Sequence, residues 1–256
     1  MKDDNVFNFF YGCSPSDFSE TAIITPFLPL KRFEEHGAVV TTFKGQVYSG
    51  MILSKSGKEV TIIRCGMGDR FTGDAILLLK KTPVQKIIFV GSCGGLRDCR
   101  LGDAVLCESA FNGEGFSRYY AKDFSMKRVL DGGEFIPADS GYTENFRNFF
   151  TDRQESECLP KAGDIFTIGS LMAEKREGLL KIEEKGFIGI DLELSAVYNA
   201  ARVIGLEVVG LLYVSDLPLK KPLGAQLSDQ EKKDYNEGLR KVIRCSVEFA
   251  IGEEKK

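Results

Sequence analysis

Three carboxylates mark the stretch GIDLELSAVYNAARVIGLEVVGLLYVSD at residues 189–216: Asp191 and Glu193 at one end, Asp216 at the other. The run between them reads as a helix beginning near Asp191, followed by a strand ending near Asp216. Chain direction then turns both acidic ends towards one pocket, because in a parallel α/β sheet ligands gather outside the carboxyl ends of the strands. Two carboxylates in different surroundings suit acid–base work on a glycosidic bond, one supplying a proton while the other stays ionised. Taken singly, each has a plainer reading. Asp191 and Glu193 fit favourable charges at a helix N-terminus, and Asp216, within SDLP, fits the start of a turn.

A second feature is VGSCGGL at 90–96, which reads as a strand end followed by a turn of small residues. Exposed amides in such a turn cradle anions, with Gly91 and the hydroxyl of Ser92 as candidate contacts; a tight βα turn is the alternative. CGMGDRFTG at 65–73 also has close glycines, but its third glycine comes too late for a dinucleotide fingerprint. His36 is the only histidine, which removes a histidine-rich metal site and makes a Ser-His-Asp triad a poor fit. Within RFEEHG it reads as the end of a helix. The seven cysteines include no CxxC pair and read as buried free thiols of a reducing compartment.

The elements that must position these groups follow from periodicity. The chain has 256 residues, 43% of them hydrophobic, and a formal net charge of -3. This is enough for one sizeable α/β core, with no general polyanion affinity and no basic, aromatic-interleaved nucleic-acid surface. No apolar run is long enough to cross a bilayer, and the acidic N-terminus lacks a signal pattern, so a cytoplasmic protein is expected. Residues 1–20 read as a lead-in, TAIIT (21–25) as a strand, and FLPLKRFEEHG (27–37) as a turn into a helix. Residues 39–66 read as strands joined by glycine turns, and GDRFTGDAILLLKKT as a helix. KIIFVG (86–91) and LGDAVLCESAF (101–111) read as strands, residues 112–141 as a long loop, and TENFRNFFTDRQE as an amphipathic helix. GDIFTIGS (163–170) reads as a strand and AEKREGLLKIEEKG as a charged helix. Residues 217–227 read as a loop, and the last helix is N-capped by Ser228, with 252–256 a frayed tail. Alternating strands and helices predict a single α/β domain over 1–256: three αβα layers around a central mixed sheet.

Against this pattern the chain resembles the nucleoside phosphorylase and nucleosidase superfamily from about residue 21 to 245. That family opens a helix with an acidic–Met–Glu motif and ends the next strand with Ser-Asp. Here these are Asp191-Leu192-Glu193 and Ser215-Asp216, at the family's interval, with GMG (66–68), GSCGG (91–95) and LGD (101–103) in family order. The resemblance implies a phosphorylase-like fold in a homo-oligomer and a nucleoside substrate, with phosphate as co-substrate and no other cofactor or metal. By the same resemblance Glu193 receives the ribose hydroxyls, Met67 and Leu192 pack on the ribose, Phe166 stacks on the base, with a core position in its strand as the alternative, and Asp216 binds and protonates N7 of a purine.

Departures fall at the anion end. The family's Gly-Asp-Pro-x-Arg turn corresponds to Phe27-Leu28-Pro29-Leu30-Lys31, and its second arginine to Phe89, leaving Ser92, Gly91 and Lys31 as phosphate contacts. Lys31 supplies charge without the bidentate fork of arginine; Arg64, Arg70 or a neighbouring subunit are the candidate compensators. The expected reaction is phosphorolysis of a purine nucleoside. Hydrolysis by water is the alternative, and a non-catalytic nucleoside-binding protein a third reading that retention of both Glu193 and Asp216 opposes.

Overall fold

The computed structural model describes residues 2–151 and 160–252. Helix α1 (Lys2–Tyr11) and strand β1 (Thr21–Thr25) precede the meander β2 (Ala38–Lys44), β3 (Ser49–Lys55) and β4 (Lys58–Arg64). Helix α2 (Asp69–Leu78) leads to β5 (Lys86–Gly95), β6 (Ala104–Gly113), the short helices α3 (Phe116–Tyr119) and α4 (Met126–Gly132), β7 (Phe135–Pro137) and α5 (Ser140–Thr151). β8 (Lys161–Ile168), α6 (Arg176–Glu184), β9 (Gly189–Asp191), α7 (Leu194–Ile204), β10 (Glu207–Asp216) and α8 (Asp229–Ala250) complete the order.

The strands join one mixed sheet. β1 runs parallel to β4 and β5, and β5 parallel to β10. β6 pairs antiparallel with β10 and parallel with β8; β8 runs parallel to β9. β9 returns antiparallel onto Gly94 and Gly95 of β5, closing β5, β10, β6, β8 and β9 into a ring. Within it Gly94 is flanked by Asp216 on one side and Ile190 on the other. Neighbouring strands lie ~4.8 Å apart, so this register brings the Asp191–Glu193 segment and Asp216 to the same end of the ring.

Strand alternation divides the core between the two faces. Ile87 and Phe89 of β5 pack with Tyr11 of α1, Ile76 of α2 and Val197 of α7. Ile88 and Val90 pack with Phe146 of α5 and Val242 of α8. Helices therefore cover both faces, as expected. A third cluster, with Phe111, Met126, Phe166, Leu179 and Phe187, seats α4 and α6 beside the ring.

Several expectations are corrected. Residues 1–20 include α1, whose Phe7 and Tyr11 are buried; its aromatic residues recur at helical spacing and Tyr11 donates to the Ala75 carbonyl at 2.8 Å. Instead of a helix, 27–37 forms two 3-10 turns, Leu30–Arg32 and Glu34–His36, pinned by buried Leu28 and Phe33. His36 thus ends a short turn. Residues 112–141 contain the end of β6, α3, α4 and β7, held by buried Tyr119, Met126 and Val129. The strands expected over 39–66 form, although Gly50 lies inside β3, where a side chain would strike the Phe43 ring. Ser228 caps α8 in a reciprocal capping box with Glu231. Residues 152–155 of the expected amphipathic helix, and 253–256 of the tail, lie outside the described residues.

Candidate active site

Asp191 is the last residue of β9 rather than the first of a helix; α7 starts at Leu194. The buried carboxylate of Asp191 is used completely within the fold. One oxygen accepts the Thr167 hydroxyl of β8 at 2.7 Å, the other the amides of Glu193 and Leu194 at 3.0 and 2.6 Å. Thr167 in turn accepts the Ser195 amide at 3.0 Å. Asp191 therefore caps α7 and fixes the backbone from which Glu193 projects.

Glu193 is 4% exposed. Its Oε1 accepts the Gly68 amide at 2.7 Å, and Gly68 holds a φ of 99° that favours glycine. Burial, then the adjacent charge of Asp191, pushes the Glu193 carboxyl above the usual range. Asp191 is itself raised, by burial. A second hydroxyl–carboxylate contact lies beside this pair: Ser195 donates to Glu114, whose carboxyl burial also raises.

Asp216 ends β10, half-buried. Ser215 Oγ donates to its Oδ1 at 2.9 Å and also reaches the Cys93 carbonyl at 3.3 Å. Burial raises the Asp216 carboxyl, against the lowering effect of Ser215 and the Leu223 backbone. The following loop is tied down by the Leu217–Lys221 bridge and by Lys221, whose ammonium donates to both carboxylate oxygens of Glu231. Arg176 Nη1 donates to the Leu219 carbonyl at 3.1 Å, joining this loop to the start of α6. Just before α6 is half-buried Glu174, whose carboxyl is pushed up to about 8 by burial and then by the charge of Asp216.

The anion end differs from expectation. GSCGG is not a turn: it is the second half of β5, paired with β10 through Gly94 and with β9 at Gly94 and Gly95. Ladder pairing engages that backbone, so it forms no open anion cradle. Gly91 is buried and Ser92 half-buried. Lys31 is exposed on the first 3-10 turn. Arg64, also exposed, ends β4 opposite Thr25, and the Gly66 amide reaches the Pro26 carbonyl at 2.9 Å. Pro26, Arg64 and Gly66 thus lie side by side where β1 and β4 end, and the next residue, Met67, is 55% exposed. Arg70 is exposed in the first turn of α2.

Phe166 is not brought to this site. It is fully buried, with its ring stacked on Phe111 at 5.4 Å and edge-on to Phe187. Its alternation in β8 directs it to the α4–α6 side, whereas Thr167 points to Asp191. Leu192 is half-buried against the same cluster. Sequence reasoning missed Thr167, Glu114 and Glu174. The first two act through strand register; Glu174 sits in a charged run that reads as solvated surface.

A model of the phosphorylase superfamily matches residues 21–250. The chain belongs to the phosphorylase superfamily. It thus falls among the enzymes of nucleoside phosphorylase and nucleosidase type, as the helix–strand motif implied. Among curated relatives, the DeoD-type 2 purine nucleoside phosphorylase of Vibrio cholerae is 26% identical over 92% of this chain and 97% of its own. The DeoD-type enzyme of Alkaliphilus metalliredigens is 25% identical over 90% and 95%. In fold the chain is similar to uridine phosphorylase from Vibrio fischeri, with a TM-score of 0.73 at 21% identity over 92% and 93%. It is also similar to AMP nucleosidase from Bacteroides thetaiotaomicron, with a TM-score of 0.67 at 20% identity over 94% and 95%.

Proposed function

We propose that this enzyme cleaves the N-glycosidic bond of a purine ribo- or deoxyribonucleoside by phosphorolysis, giving free base and sugar 1-phosphate. The observation that carries the reading is the pairing of a buried Glu193, aimed by Asp191 and Gly68, with a half-buried Asp216 at the same end of the ring. Glu193 accepts the ribose hydroxyls. Those donors and the cationic, oxocarbenium-like sugar draw its carboxyl back to the ionised form, so its charge acts most strongly at the transition state. Asp216, raised by burial, carries a proton to N7 as the bond to C1′ breaks; general acid catalysis of this kind contributes ~10²–10⁴-fold. Met67 closes the ribose side. Lys31 and Ser92, with exposed Arg64 at the end of β4, receive phosphate, and the reaction needs no further cofactor.

Hydrolysis by water is the second reading. It is favoured by the β5 ladder, which engages the GSCGG backbone, and by Phe89, buried where the family pattern has an arginine. The distinguishing experiment follows free base from inosine, guanosine, adenosine and methylthioadenosine, with and without phosphate. Phosphate-dependent release supports phosphorolysis, and equal release without phosphate replaces it with hydrolysis. No release from any of them would return the chain to a binding role. The same reading expects a cytoplasmic homo-oligomer, for which exposed Phe71, Phe116 and Met172 offer apolar surface. No described helix is long and apolar enough to cross a membrane.

A further inference from the structure

A concave surface that includes none of Asp191, Glu193 and Asp216 is lined by α8, by the turn that precedes β6 and by the 3-10 turn Glu34–His36. Its volume is about 730 Å³, within the ~300–1,000 Å³ of small-ligand sites. The fold fixes its walls. Gly102, at a φ of 80°, lies so close to α8 that a side chain there would strike the Asp234 carbonyl, and one at Gly238 would strike Gly102. The same turn is tied to β10: the Gly102 amide donates to the Val214 carbonyl and the Val214 amide to the Asp103 carbonyl, both at 2.9 Å.

The charges of this cleft are ordered along α8. Asp234, Glu237, Lys241 and Arg244 recur at helical spacing and share one stripe, with Arg240 beside it. The acids come first and the bases last, and at ~1.5 Å per residue their centres lie about 10 Å apart. Asp103 is spent on its own turn, where Oδ2 accepts the Arg100 amide at 2.8 Å and pairs with Lys161 at 2.8 Å. Burial, with Lys55 and Arg244 acting against Glu35, holds His36 below its ordinary range, so it adds no charge. Four cations, Arg100, Arg240, Lys241 and Arg244, then stand with three carboxylates, Glu35, Asp234 and Glu237. Arg100 and Arg240 are exposed, and among the described residues neither guanidinium enters an ion pair. Guanidinium forks bind phosphate through paired N–H donors, whereas carboxylates accept from hydroxyl and amino groups. The matching ligand carries a phosphate at one end and hydrogen-bond donors at the other.

We propose that this cleft binds a nucleoside 5′-monophosphate, with its phosphate on Arg240 and Arg244 and its nucleoside donors on Asp234 and Glu237. Inorganic phosphate fills only the basic end, and a free nucleoside only the acidic one. The site does not depend on the proposed glycosidic cleavage and shares no residue with it.

The test is calorimetric binding of AMP, inorganic phosphate and adenosine to the full chain and its variants. AMP is expected to bind the native protein at least about tenfold more tightly than inorganic phosphate, because both ends are engaged. Arg240→Glu, at an exposed position, weakens AMP by about 10- to 100-fold, the loss of a charge-assisted contact, at unchanged Tm and unchanged adenosine binding. Arg240→Ala gives a loss in the same direction. Glu237→Gln weakens AMP and leaves inorganic phosphate unaffected, and Glu193→Gln leaves AMP binding intact. Absence of AMP binding to the native protein, or unchanged AMP affinity in both Arg240 variants, overturns the proposal. So does loss of AMP binding in Glu193→Gln, which assigns it to the catalytic pocket. Phosphate binding as tightly as AMP, with Glu237→Gln neutral for both, overturns it as well and leaves an adventitious ion only.

Discussion

Replacing Asp191 by alanine separates an anchoring role from a catalytic one. The change deletes the acceptor for three donors: the Thr167 hydroxyl and the buried amides of Glu193 and Leu194. The hydroxyl can rotate to another acceptor, but the two amides are orphaned. Each orphaned amide costs ~1–3 kcal/mol, and relief of the repulsion with Glu193 offsets part of the sum, leaving ~3 kcal/mol. For a chain of this size that corresponds to a fall in Tm of roughly 6–12 °C. The first turn of α7 then loosens, and a displacement of Glu193 by ~1 Å lowers kcat/KM by about 100-fold. Asp191→Asn is the control. Its carbonyl oxygen still receives the two amides and its NH2 group turns to Thr167 Oγ1, so the loss is ~1 kcal/mol. Removing the charge also lets Glu193 ionise more easily, and the pH–rate limb assigned to Glu193 moves to lower pH. The assays are thermal unfolding followed by circular dichroism and release of free base across a pH series. Alanine with native Tm and native turnover would refute the assignment of Asp191 as the anchor of Glu193.

Further outcomes follow from the same geometry. Glu174, Asp191 and Glu193 all have carboxyls raised in the folded state. The stability that their neutral forms allow is fully present below the ordinary carboxylate range, near 4.5 for Glu, and is lost as pH rises through the folded value, about 8 for Glu174. Ligand-free Tm is therefore expected to fall between about pH 5 and 8.5, and Glu174→Gln to flatten that fall; a rising Tm over this window would contradict it. Ser228→Ala removes the N-cap of α8 and its acceptance of the Glu231 amide, costing ~1 kcal/mol in chemical denaturation while leaving kcat unchanged.

The helix–strand unit carrying the chemistry was legible because its signals are local. Apolar periodicity sets α7 and β10, and direct connection places Glu193 and Asp216 at their ends. What was not legible depends on partners distant in the chain. Gly94 and Gly95 have the composition of a turn, and it is pairing with β10 at Gly94 and with the returning β9 at both that makes them strand. Phe166 and Thr167 are adjacent, and which of them faces the site is decided by the register of β8 against β6 and β9. Glu174 gains significance only through its burial and the charge of Asp216, neither of which its charged run in the sequence shows. The 27–37 segment shows helical composition, but buried Leu28 and Phe33 pin it as two separate turns.

In the proposed mechanism Asp216 supplies a proton to a leaving purine while Glu193 stabilises the sugar cation. It is tested most directly by comparing Asp216→Asn and Glu193→Gln on a purine nucleoside and on 4-nitrophenyl ribofuranoside, whose phenolate leaves without protonation. Asp216→Asn is expected to lose about 10²–10⁴-fold on the nucleoside and little on the phenyl riboside, whereas Glu193→Gln loses heavily on both. Equal losses on the two substrates for Asp216→Asn, or unchanged purine release, would contradict it.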